Sequence, residues 1–180
     1  MKNLIIAACA FLSATSCMVH AQTIKTSMVS HGKNSKNATP DSGTSASKAL
    51  TNTYLNEINT YAMKDFMQRF KNPLNVYWTK CEKGYIVACT QNGIKCRSAY
   101  DLKGFWVYTI KYYDEWKLPK DVRTIVKSNY FDYRITQVEE VTQAIKTIPT
   151  YVVHIEDDKT FKKVLVGDGE MVVMEEYNKQ

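Results

Sequence analysis

The chain has 180 residues, 44% of them hydrophobic and 23% charged, with a net charge of +6 and five cysteines. So much apolar matter excludes a disordered chain, and the length suits one compact domain or two small intertwined ones. Charge is uneven, with 13 Lys/Arg against 5 Asp/Glu over residues 22–113 and 10 against 13 over 114–180; lacking a dense basic run, the first half reads as a solvated face that steers an acidic partner, not as a nucleic-acid surface.

The first 21 residues, MKNLIIAACAFLSATSCMVHA, hold Lys2, an apolar run from Leu4 to Ala14, and a small-residue site at Val19-His20-Ala21. This is the pattern of a secretory signal peptide cleaved near Ala21. The run is shorter than the ~20 residues of a membrane span. Lipidation at Cys17 is the alternative, but Ala14-Thr15-Ser16 lacks the large aliphatic residue expected there. No other stretch is apolar enough to span a membrane, so the product is expected to be exported, periplasmic or secreted. Residues 22–48 are rich in Ser, Thr, Asn, Lys and Gly and read as a flexible leader.

In TNTYLNEINTYAMKDFMQRFKN, Tyr54, Ile58, Tyr61, Ala62, Phe66 and Phe70 recur at helical spacing. Asn72-Pro73 ends that helix. Four strands are predicted next: Asn75–Cys81, YIVACTQ, IKCRSAY and FWVYTIKYY. The turns between them are Glu82-Lys83-Gly84, Asn92-Gly93 and Asp101-Leu102-Lys103-Gly104. In the fourth strand strict alternation puts Trp106, Tyr108, Ile110 and Tyr112 on one face, with aromatic and β-branched residues on both, as near a sheet centre. Leu118-Pro119 opens a second helix, with proline at its first position and Val122, Ile125 and Val126 at helical spacing. RITQVEEV, YVVHIE, TFKKVLV and EMVVMEEY are four more strands, the last two joined at Gly167-Asp168-Gly169.

The halves align, Tyr85-Ile86-Val87 against Tyr151-Val152-Val153 and Tyr112 against Tyr177. The expected fold is α+β. Two tandem units, each of one helix and four antiparallel strands (49–113 and 114–180), form one long sheet with both helices on one face. Phe66, Phe70 and Asn72 at the first helix end, the Trp78 strand, the YDLKG turn, LPKDVRTIVKSNYFDYRITQVEEV and YVVHIEDDKTFKKVLVGDGEM carry a resemblance. Together they look like the exported tandem PepSY-like proteins of Bacteroidetes-type bacteria, whose fold is similar to that of the beta-lactamase inhibitor protein. The resemblance implies a non-catalytic, periplasmic or secreted module that inhibits a peptidase-type protein or binds one. It supplies no catalytic residue or ligand. Cys89 and Cys96 depart from the family pattern, which would place apolar residues there.

Beyond the signal and leader, His154 is the one candidate base, no GxSxG elbow exists, and catalysis by a nucleophile–base pair is not expected. Cys81, Cys89, Cys96 and His154 lack metal-ligand spacing, and the acidic turn residues Glu156, Asp157, Asp158 and Asp168 lack that of a calcium loop. The neighbours Glu139-Glu140 and Glu175-Glu176 point to opposite faces and cannot converge. No metal and no cofactor are expected. The surplus is aromatic: Tyr85, Tyr100, Trp106, Tyr108 and Tyr112 are the candidate binding residues, anchors for a protein partner in the cell envelope. The competing reading is a small-ligand carrier or an envelope enzyme with a pocket between the units. A two-residue Asn92-Gly93 turn sets Cys89 opposite Cys96, so a disulfide between them is expected, with Cys81 facing Ile86 instead.

Overall fold

The computed structural model describes residues 55–180. The expected signal peptide, the leader, Cys17 and Tyr54 lie outside the described residues. Eight strands run in chain order across one sheet, each antiparallel to the next: β1 Leu74–Cys81, β2 Gly84–Gln91, β3 Ile94–Asp101, β4 Trp106–Tyr113, β5 Arg134–Gln143, β6 Lys146–Glu156, β7 Thr160–Gly167 and β8 Glu170–Asn178. Helix α1, Thr60–Arg69, precedes β1, and helix α2, Lys120–Asn129, lies between β4 and β5. This is the expected α+β class, with one sheet and two helices.

The helices form where the sequence supplies caps and an apolar stripe. The Asn59 side chain accepts the Tyr61 N–H at 2.8 Å and so caps α1. Ile58, Ala62, Phe66 and Phe70 are buried as the spacing predicts. Tyr61 is not: at 73% exposure it leaves the predicted stripe, because one residue of helix turns it about 100° away from Ala62. In α2, Val122 and Val126 are buried and Ile125 partly so. Pro119 is the N-cap residue, with φ −52° and ψ 140°, one place ahead of its predicted position.

Asn92 and Gly93 have φ of 50° and 77°, and Asp168 and Gly169 have 54° and 78°. These are the paired positive φ values of type I′ hairpins. At the β1–β2 hairpin, Cys81 pairs with Gly84 and Thr79 with Ile86. Cys81 therefore does not face Ile86, because the turn is Glu82-Lys83 alone and Gly84 already belongs to the strand. Gly84 has φ 148°, and a Cβ there would lie 2.0 Å from the Tyr100 carbonyl oxygen. Only glycine lets the two backbones approach so closely.

Register assigns the faces. Val87 pairs with Ser98, Ser98 with Thr109, and the neighbouring Lys111 pairs with Glu140 in β5. This parity continues through Val138, Val153 and Val164. Two buried clusters share this one face. The first joins α1 to β1–β3 through Phe66, Phe70, Trp78, Tyr85, Val87 and Tyr100. The second joins α2 to β5–β7 through Val122, Val126, Val138, Val153, Ile155 and Val164. Both helices thus cover the same side, and among the described residues the other carries none.

Among the register shifts, two displace residues read above from strict alternation. Tyr100 pairs with Trp106 while Ala99 pairs with Tyr108, so Val107 is an extra residue in β4. A bulge of this kind turns consecutive side chains out of phase. Trp106 lies on the helix side and Tyr108 on the bare side, and they do not share a face. In β5 the extra residue is Thr136. Ile135 and Val138 both reach the second cluster, which strict alternation forbids.

Candidate functional site

The bare face of the sheet is the candidate site. Its middle is an apolar strip: Ala99, Ile110, Val141, Val152 and Leu165 are all buried, although no described helix lies over them. Ile110 pairs with Val141 and Val152 with Leu165, so the strip crosses β3 to β7. Tyr108 and Tyr112 stand over it half-buried, and Tyr77 is exposed on β1. Burial pushes both the Tyr108 and Tyr112 hydroxyls above their ordinary acidity range; Glu139 adds to the effect at Tyr112 and Arg97 opposes it at both. They remain neutral donors at neutral pH, suited to anchoring an interface from a rigid backbone.

A polar ladder borders the strip. Tyr112 pairs with Glu139 in the register. Glu139 Oε1 lies 3.0 Å from His154 Nε2, and the His154 ring meets Phe161 edge-on at 5.8 Å. Lys163 reaches Glu175 at 2.8 Å, and the Tyr177 hydroxyl donates to the same carboxylate at 3.2 Å. That lysine hydrogen bond holds the Glu175 carboxyl below its usual range. Acidic and basic groups thus alternate beside an apolar centre.

The five predicted aromatic residues divide. Tyr108 and Tyr112 are on the bare face. Tyr85 and Tyr100 are 8% and 2% exposed beneath α1, and the Tyr100 hydroxyl donates to Asp65 Oδ2 at 3.0 Å. They hold the helix and leave the candidate site. Trp106 donates from Nε1 to Thr109 Oγ1 at 2.9 Å and stacks under the Arg69 guanidinium at 4.0 Å, again on the helix side. Sequence reasoning missed Arg97, Phe161 and the His154–Glu139 pair. Their alternation within each strand was legible, but which phase faced the helices was not.

The helix side holds a groove of about 490 Å³ beside the end of α1, lined by Arg69, Phe70, Cys96, Trp106, Thr109 and Lys111 among others. Its lining residues Thr109 and Lys111 carry polar contacts: the Ser98 and Thr109 hydroxyls meet at 2.7 Å, Lys111 reaches Glu140 at 2.8 Å, and the Tyr113 hydroxyl donates to Glu140 at 2.7 Å. Among the described residues no group of three or more His, Cys, Asp or Glu is placed to hold a metal ion.

No family model matches the chain, and no curated protein does. Solved structures do. A BLIP-like protein from Bacteroides fragilis is 17% identical with a TM-score of 0.56, over 67% of this chain and 86% of that one. A DUF2874 family protein from Bacteroides ovatus is 16% identical with a TM-score of 0.56, over 67% and 87%. A protein from Bacteroides eggerthii, provisionally assigned to the periplasm, is 14% identical with a TM-score of 0.56, over 67% and 88%. The chain has the BLIP-like fold found in Bacteroides proteins, as the sequence motifs implied. No described helix is long and apolar enough to cross a membrane.

Proposed function

We propose that this chain is an exported, non-catalytic binding module that inhibits or sequesters a protein partner in the cell envelope through the bare face of its sheet. One observation carries the reading: a buried apolar strip with no described helix over it, topped by the half-buried Tyr108 and Tyr112 and bordered by paired charges. That arrangement of apolar centre and polar rim is the composition of a protein interface. The provisional periplasmic assignment of one structural neighbour supports export.

We read the two halves as tandem PepSY-like units of one helix and four strands each. The support is that each helix seals its own cluster, α1 over β1–β3 and α2 over β5–β7. The test is retention of envelope proteins on the immobilised chain. A Tyr108→Ala/Tyr112→Ala variant should retain at least ~10-fold less of the specific partner, the effect of losing one interface hot spot. Met67→Ala, on the outer surface of α1, should retain as much as the unaltered chain. Equal retention by the double variant would refute the assignment of the face.

A further inference from the structure

Cys89 and Cys96 occupy directly opposed positions of the β2–β3 hairpin, three residues back from the Asn92-Gly93 turn on each side. A type I′ turn is closed by a hydrogen-bonded pair, and alternation makes Cys89 and Cys96 the next such pair, with Cα atoms ~5.5 Å apart. That separation is the commonest for a disulfide. Both are buried members of the first cluster and are free thiols, so the expected disulfide is not formed in this structure.

The two sulfurs are not equivalent. Cys96 lines the groove that also holds Arg69 and Lys111, while Cys89 does not. The Cys89 thiol donates to Cys96; this holds the Cys96 thiol below its usual range, with the Lys111 charge and the Gln91 N–H acting the same way against the cost of burial. The same hydrogen bond and burial push Cys89 up. Cys96 therefore borders a groove that Arg69 and Lys111 also line, and Cys89 is held behind it as a donor, both side chains being buried.

We propose that Cys89 and Cys96 form a redox-active dithiol, in which Cys96 reacts first and Cys89 resolves. The oxidant is a disulfide, either a small one or one on an envelope thiol oxidase. The Cys96 thiolate attacks one sulfur of that disulfide and expels the first thiolate, leaving a mixed disulfide on Cys96. Cys89 then attacks the Cys96 sulfur, gives up its proton to the departing thiolate, and closes the Cys89–Cys96 bond. Two protein thiols are oxidised by two electrons and one disulfide is reduced to two thiols. The reverse sequence opens the bond under reducing conditions.

The test uses the full chain, reduced and then exposed to glutathione buffers of graded oxidised-to-reduced ratio, quenched in acid. Cleavage after Lys83, Lys95 and Arg97 puts Cys89 and Cys96 on separate peptides, so a link between them is read directly by mass spectrometry. The expected result is a Cys89–Cys96 link under oxidising buffer, and a glutathione adduct at Cys96 in Cys89→Ser. In the unaltered reduced chain near pH 7, brief alkylation should label Cys96 before Cys89. That comparison needs no variant and stands if Cys89→Ser fails to fold. Cys89 labelled first or equally fast, or no link at any ratio while circular dichroism shows the fold intact, would overturn the proposal.

Discussion

Trp106 and Tyr108 are separated by one residue and have different jobs. Trp106→Ala removes a hydrogen bond to Thr109 and the stacking under Arg69, together with a half-buried ring. It should cost about 2–3 kcal/mol of stability and leave partner retention unchanged. Tyr108→Ala should cost about 1 kcal/mol or less and reduce retention, as denaturant titration beside a binding assay will show. Had the strand alternated strictly, the two variants would behave alike. Asp157 gives a second residue-scale outcome. Its carboxylate accepts the Thr160 N–H at 2.6 Å and the Lys159 N–H at 2.8 Å, and these bonds lower its pKa from 3.8 to about 2. A depressed carboxylate stabilises the fold above its unfolded pKa and loses that contribution as pH falls through the folded one. The melting temperature should drop between about pH 4 and pH 2, and Asp157→Asn should show a shallower drop. Parallel curves for the two proteins would contradict this.

At the scale of elements, the Asp101–Gly104 turn is a clamp on α1. The Asn59 side chain, which caps the helix, also donates to the Leu102 carbonyl at 3.2 Å. Gly104 has φ 89°, and a Cβ on it would sit 2.7 Å from Asn59 Oδ1 and 2.9 Å from the Ala62 backbone nitrogen. Gly93 has φ 77° and open space around it. Gly93→Ala should cost only the ~1–2 kcal/mol of left-handed backbone. Gly104→Ala should cost at least ~2 kcal/mol more, with faster amide exchange in the first turn of α1; similar losses would mean the clamp is unimportant. Elements were the most legible layer of the sequence: turn residues at Asn92-Gly93 and Asp168-Gly169, and stripes at Phe66-Phe70 and Val122-Val126, gave strands and helices in the right order. Faces were less legible. Val107 and Thr136 carry no mark of a bulge, since a bulge is fixed by the partner strand's register and not by the residue itself. The five-residue aromatic site therefore dispersed, with Tyr85, Tyr100 and Trp106 supporting α1.

At the scale of the described residues as a whole, one antiparallel sheet carries two helix-sealed clusters on one side and, on the other, an apolar strip buried without a described helix over it. Between the clusters the sheet is polar, with Ser98–Thr109 and Lys111–Glu140–Tyr113. Each helix buries its own cluster, and on our proposal the opposite face takes the partner. Composition announced an aromatic surplus but not its address, because the address depends on which strand phase the helices occupy. The most direct measurement is photo-crosslinking in the envelope of the source cell, with a benzophenone amino acid in place of Tyr112 on the bare face, or of Met67 on α1. The account predicts one discrete crosslinked partner from position 112 and none from position 67. A crosslink from position 67 alone, or none from position 112 with the protein folded and exported, would contradict it.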